Sequence, residues 1–590
     1  MFKNYITVAF RNFWRNKTFS LINVLGLSIG ISAALVIFLI VYYEKSYDRF
    51  EKDGDRIYRV VMDTKFNGME GNAAAVPAPL SSAIQNEITG IDETVPVMTF
   101  QGDGSAKVIV ANNAGKEVVF KKQEDIVFTN EQYFQLLPFK WIAGSQQTSL
   151  KEPFSVVLSE SKAQIYFPDV AMPDVIGKQI KYNDVTVTVS GIVKDLNEHT
   201  SFNANEFISF TTIAKTNLQN QFMMDVWNDW MSYSSLYLKI AKGNTGVKAE
   251  QQINTLYKKY NKDAHKDANN YMLFKLQPLS DVHFNSTYGS FNQRVASNKT
   301  LYGLLAIASF LLLLGCINFI NLTTAQASHR AKEIGIRKTM GGSKMSLVFQ
   351  FLSETLLITI VATVLSIGLT PVLLKVFADF IPPGLQFDLL NQPSLIIFLV
   401  LLVITVSFLS GLYPALILSG FKPVLVLKNQ AFAGSGQTRN AWVRKTLTVS
   451  QFVIAQFFVI ATVMISRQID YSINMDMGFN KEAIIYFDIP RRDTVKTHPK
   501  QLMNDIKALP GVSLASAAFL APAESGAAFA NISYNNGKEE VKPNAQIRWG
   551  DADFIKLYDI KILAGRNVLP SDTIKELLIN ESYAHALGFV

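Results

Sequence analysis

Long apolar blocks dominate the pattern of this chain. Phe19–Tyr43, Leu301–Thr323, Phe351–Phe377, Leu395–Ser419 and Thr446–Ser466 run almost without charge, and each is near or above the ~20 residues a helix needs to cross about 30 Å of hydrocarbon. One such block could be a buried helix of a soluble domain, but five point to five transmembrane helices. Glu354 and Lys375 are the charged exceptions, and their nearness to block ends predicts that both reach the interface. Residues 1–18 place Phe2, Ile6, Phe10, Phe13 and Trp14 near one helical face and Lys3, Arg11 and Arg15 off it. That is the pattern of an amphipathic helix lying along a membrane.

Between the first two blocks the pattern changes. Arg56–Asp63, Val185–Val193, Ser235–Ile240 and Met272–Leu276 read as strands, rich in β-branched and aromatic residues and bounded by Gly, Asn and Asp. Ala78–Glu87 and Val247–Tyr260 read as helices. Segment 44–300 is therefore expected to be a mixed α/β domain, long enough to bury its own core.

The short loops set an orientation, because Lys and Arg accumulate on the cytoplasmic side. Residues 1–17 carry Lys3, Arg11, Arg15 and Lys17 without an acid, and 420–445 carries Lys422, Lys428, Arg439, Arg444 and Lys445 unopposed. Loop 324–350 holds five basic residues against Glu333, whereas 378–394 holds only Asp379 and Asp388. Alternation places the N-terminus, 324–350 and 420–445 inside, and 44–300, 378–394 and 467–590 outside. The expected fold class is an α-helical membrane protein with mixed α/β extracytoplasmic domains.

Composition narrows this picture. Hydrophobic residues make up 49% while mean hydropathy is only +0.16, as large soluble parts require. The net charge of +8 could suit nucleic acid, but the unopposed basic residues sit beside the membrane, where anionic headgroups account for them. The first block is too long for a signal peptide, and Tyr42-Tyr43-Glu44-Lys45 offers no small-residue cleavage site. Cys316 is alone, which excludes an internal disulfide and a thiolate cluster. The six histidines have no metal-ligand spacing and read as surface residues. No phosphate loop occurs, since Gly341-Gly342-Ser343-Lys344 has the wrong spacing, and there is no Gly-x-Ser-x-Gly or His-Glu-x-x-His. Neither catalysis nor a cofactor is expected.

The chain also repeats itself. One offset of 421 aligns Leu136, Lys140, Ala143 and Gly144 with Leu557, Lys561, Ala564 and Gly565, and Glu160, Ser161 and Ala163 with Glu581, Ser582 and Ala584. It also sets Ile126 on Ile547 and Gly90 on Gly511. Segment 467–590 thus reads as part of a second copy of the outer domain, in a unit of one helix, one domain and three helices. The repeat predicts roughly 200 to 250 further residues beyond Val590 in the native polypeptide.

The most informative stretch is 325–354. Lys332-Glu333-Ile334-Gly335-Ile336-Arg337-Lys338, then Gly341-Gly342-Ser343 and Gln350-Phe351-Leu352-Ser353-Glu354, describe a short amphipathic helix, a glycine break and the start of the next membrane helix. This string resembles the signature after the second membrane helix of MacB-like and FtsX-like ABC transporter permeases. Further stretches resemble the same family, of the double-unit type. They are Arg11-Asn12, Leu25 to Gly30 and Asp48-Arg49-Phe50, Gly191 to Leu196, Leu276 to His283, Gly411 to Ala415 with Ser419 and Phe421 to Lys428, and Arg467 to Lys481.

The resemblance implies a MacB-like periplasmic core domain over 44–300 and a bacterial inner-membrane location. It also implies a separate cytoplasmic ATPase that docks on Arg330, Lys332, Glu333, Ile334, Gly335, Ile336, Arg337, Lys338, Gly341 and Gly342. Membrane lipid is the other implied partner. On the periplasmic side an adaptor, an outer-membrane channel or a cell-wall hydrolase are the candidates. Interior ionisable residues, the mark of a substrate path, are missing from the blocks, where the polar groups are Asn318, Asn321, Thr359, Thr363, Gln451 and Gln456. The Asn and Gln residues read as interhelical hydrogen-bond partners. That absence fits mechanotransmission, which could drive export of a peptide, lipoprotein or small toxic compound, or regulate a hydrolase without transport.

Overall fold

The computed structural model describes residues 2–589 apart from 52, 67–68, 102–103, 112–114, 230, 263–270, 290–293, 421–435, 488, 490–498, 525–527, 533, 536–539, 542–543 and 572. It divides into two compact units, Met1–Val453 and Ile454–Val590.

Helix α1 spans Phe2–Arg15 and breaks at Asn16 before α2, Lys17–Lys45. Two helices of the outer domain follow, α3 at Pro79–Glu87 and α4 at Gly246–Tyr260. The remaining long helices are α5 (Asn298–Ala325), α6 (Ala327–Thr339), α7 (Lys344–Val376), α8 (Pro393–Ser419) and α9 (Gly436–Asn474). Five of these, α2, α5, α7, α8 and α9, are long and apolar enough to cross a membrane. Helix α7 starts seven residues before the apolar block, because Ser343 caps it by accepting the backbone N–H of Ser346 at 3.2 Å.

In the bundle of the first unit, α2 packs between α5 and α7, and α8 packs on α7 and α5. Gly26 and Gly30 permit the close approach of α2 to α5. A Cβ on Gly26 would lie 3.2 Å from Asn318 Nδ2, and one on Gly30 would lie 3.1 Å from the Leu311 carbonyl. Leu27, Ile31 and Ala34 bury themselves there against Cys316, Phe319, Ile358 and Ala362. Thr359 and Thr363 donate to the carbonyls of Thr355 and Thr359 on their own helix. Ser366 does reach across, to the Ser28 carbonyl at 2.9 Å, and Asn321 reaches Thr448 at 3.4 Å.

The outer domain is built on a 13-stranded mixed sheet. Ile57–Phe66 lies between Ser234–Ile240 and Tyr271–Pro278, antiparallel to both. Toward the middle of the sheet Val185–Val193 pairs in parallel with Ser155–Ser159, as Glu206–Ser209 does with Ile126–Thr129. Helices α3 and α4 cover one face, where Leu80, Ile84, Ile253 and Tyr257 meet Val60, Leu236, Leu238 and Phe274. The strands and helices read from periodicity are present within two or three residues of the observed ends.

The second unit carries local signs of the repeat. Gly144 and Gly565, and Gly90 and Gly511, all adopt positive φ, between 80° and 92°. Helices Glu160–Tyr166 and Glu581–Ala586 begin alike, Ser159 accepting the Lys162 N–H and Asn580 the Tyr583 N–H. Residues 421–435, which hold Lys422, Lys428 and the end of the helix-exit string, lie outside the described residues.

Candidate functional site

The basic stretch folds as α6, separated from α5 by Gln326 alone. Its end is set by glycine. Gly341 takes φ +94°, its N–H donates to the Lys338 carbonyl at 3.1 Å, and the Gly342 N–H donates to the Arg337 carbonyl at 3.0 Å. This paired closure is the Schellman arrangement, which a residue with a Cβ would strain at Gly341. A Cβ on Gly342 would sit 2.9 Å from the Arg337 carbonyl.

Inward, Ile334 is 3% exposed and packs with Leu347, Val348 and Phe351 of α7 and with Ala415 and Leu418 of α8. Gly411 lets α8 approach, since its Cβ would meet Thr355 Oγ1 at 2.8 Å. Ala415, at the end of the Gly411-to-Ala415 string, therefore lies beneath α6. Gly335 is also buried. Outward, Ile336 and Met340 are exposed one turn apart, and Met345 and Phe349 repeat that spacing beyond the glycine turn.

The basic side chains expected to face a partner mostly hold their own protein. Arg330 donates to Glu354 Oε2 at 2.7 Å with its guanidinium over the rings of Phe19 and Phe351. Arg337 bonds Gln350 and, at 2.6 Å, Glu333. Lys338 donates to the Ser419 carbonyl at 2.6 Å, at the end of α8 where a cation complements the unpaired carbonyls. The side chain of Lys332 lies outside the described residues. Glu354, expected from its place in the block to reach the interface, is turned into the protein. It is buried and accepts also from Asn12 at 2.8 Å and Gln350 at 3.2 Å, because an unpaired carboxylate at this depth would cost several kcal/mol.

A second polar joint closes the other end of α2. Glu44, 2% exposed, lies 2.7 Å from His283 Nε2 and accepts from Arg294. Tyr47 stacks on His283 at 3.6 Å, and Ser46 Oγ meets His199 Nδ1 at 2.5 Å. Asp48 accepts from Thr200 Oγ1 at 2.8 Å, the Ser201 N–H at 2.8 Å and Ser201 Oγ at 2.6 Å. Burial raises the Asp48 carboxyl above its usual range against the pull of these donors, and burial depresses His199. The surface reading is thus overturned for His283, which is buried, while His199 is half-buried; both bind the exit of α2 to the outer domain. Nothing in the local sequence announces the joint, whose members are 150 to 250 residues apart.

Known proteins carry the same two parts. Residues 20–256 match the MacB-like periplasmic core domain and 305–423 the FtsX-like permease C-terminal model, together more than half of the chain. MacB of Pseudomonas entomophila, named as a probable export ATP-binding/permease protein, is 21% identical over 63% of this chain and 52% of its own length. YvrN of Bacillus subtilis, named as an uncharacterized ABC transporter permease, is 24% identical over 72% of this chain and 99% of its own. The chain thus spans about half the length of MacB and nearly all of YvrN. The solved periplasmic region of MacB from Actinobacillus actinomycetemcomitans is 16% identical, covering 38% of this chain and 89% of that one at a TM-score of 0.25. With the membrane helices and the outer domain in place, the chain belongs to the MacB/FtsX-like ABC transporter permeases.

Proposed function

We propose that this chain couples a separate cytoplasmic ATPase to movement of its outer domain, and so drives export or extraction of a peptide, lipoprotein or small toxic compound. The observation that carries this reading is α6. One side is fastened to α7 and α8 through Ile334, Arg330, Arg337 and Lys338, and the other presents Ile336 and Met340. A helix so mounted passes on a push, because its inward face cannot slide without breaking a buried ion pair. The joint at Glu44 supports the second half of the reading, since it ties α2 to the outer domain by charge and hydrogen bonds. In this reading the N-terminus and α6 face the cytoplasm, and ATPase docking is apolar at its centre, with Glu333 and Arg337 at the rim.

The test is purification of the full-length tagged chain from its native membranes. It is expected to retain an ABC ATPase whose turnover rises in its presence, and Ile336→Asp with Met340→Asp is expected to release it. Retention at wild-type yield with unchanged turnover would overturn the docking surface.

A further inference from the structure

Helix α1 lies where an anchor helix would, yet two of its polar side chains turn inward. Tyr5 Oη is 3.0 Å from Ser346 Oγ, and Asn12 Nδ2 donates to Glu354 Oε1 at 2.8 Å. Tyr5 and Asn12 are two turns apart on α1, as Ser346 and Glu354 are on α7, so the helices run side by side in register. Helix α6 grips the same turns of α7, Arg337 on Gln350 and Arg330 on Glu354. The two grips converge on one buried carboxylate, with Oε1 taken by Asn12 and Gln350 and Oε2 by Arg330. Anchoring alone would need only the apolar contacts of Ala9 and Phe13 inward and of Phe10 and Trp14 outward. An amide aimed at the acid that holds Arg330 has a further effect: it fixes where that acid, and therefore α6, can sit.

We infer that Asn12 is a positioning residue for ATPase coupling, and that α1 is a working part of the coupling apparatus. This rests on the coupling role proposed for α6. Asn12→Leu in the full-length chain, reconstituted in nanodiscs, is expected to speed hydrogen exchange across 327–339 by roughly tenfold, the loss of one hydrogen bond to a charged group. The co-purified ATPase should stay bound but lose most of its stimulated turnover. Asn12→Gln, which keeps the amide, should restore both readouts. Phe10→Ala, which weakens only the outward face, should leave both near wild type.

Wild-type exchange and turnover in Asn12→Leu would overturn the inference, as would equal losses in Phe10→Ala or no recovery in Asn12→Gln. The exchange arm needs no ATPase. If none co-purifies with the wild-type chain, the proposed function fails, while exchange across 327–339 still decides whether Asn12 positions α6.

Discussion

The Arg330–Glu354 pair offers the sharpest test of how α6 is held. Arg330→Met removes the guanidinium but keeps an aliphatic stem between Phe19 and Phe351. Among the described residues Glu354 then keeps Asn12 and Gln350 as donors. The two side chains are 16% and 10% exposed, so solvent relieves little of the loss. Removing one member of a buried pair costs about 3–5 kcal/mol. The two amide donors that remain, at about 1 kcal/mol each, bring the expectation to about 1–3 kcal/mol. Glu354→Met strands Arg330 nearer to headgroups and should cost about 2 kcal/mol. The double variant replaces the pair by apolar contacts and should cost no more than about 2 kcal/mol, so the cycle should return a coupling energy of about 1–3 kcal/mol. Equilibrium unfolding in mixed detergent micelles measures all four corners. A double variant whose loss equals the sum of the singles within about 0.5 kcal/mol would mean that the pair does not hold α6.

Three other outcomes follow from the same geometry. Ile334→Ala should cost about 2–4 kcal/mol and speed hydrogen exchange across 327–339, whereas Ile336→Ala, on the exposed side, should stay within about 0.5 kcal/mol; equal effects would contradict the assigned faces. His199 is depressed by burial, and a depressed histidine stabilises above the unfolded value of about 6.5 and loses that contribution as pH falls through its folded value. Acidification below that range should loosen 43–48 and 196–201 in hydrogen exchange corrected for its intrinsic pH dependence, and uniform protection would contradict it. In a Cys316→Ala background, an impermeant thiol reagent should label Val247→Cys in intact spheroplasts and Met340→Cys only after permeabilisation; early labelling at 340 would reverse the proposed orientation.

Much of the architecture was legible in the sequence because it depends on local pattern. Apolar runs mark five helices, alternation marks Val185–Val193, and Ala249, Ile253, Leu256 and Tyr257 mark the buried face of α4. The glycine break after α6 was legible for the same reason, since Gly341 and Gly342 close a turn formed by their own neighbours. Glu354 was not, because its partners sit 342 and 24 residues away, and a lone acid near a block end looks the same whether it snorkels or is clasped. Arg330, Arg337 and Lys338 belong to the partner-docking surface in what the family resemblance implies. Their inward bonds depend on how α7 and α8 lie beside α6, which periodicity does not encode. The sheet's central short strands, Glu206–Ser209 and Ser155–Ser159, are buried at nearly every position, so they lack the alternation that would have marked them.

Helix α2 meets both polar joints. Phe19 lies under Arg330 at one end, and Glu44 is clasped by His283 and Arg294 at the other. Its 29 residues make a rod about 43 Å long at ~1.5 Å per residue, with Gly26 and Gly30 seated against α5 nearer the Phe19 end. A rod pivoting there has a short arm toward α6 and a long arm toward the outer domain. A tilt of about 5° about that seat would carry Glu44 by roughly 2 Å and Phe19 by roughly 1 Å, a little over half as much. Leverage of this kind trades force for reach, so under the proposed coupling small displacements at α6 would become larger ones where the outer domain is bolted on.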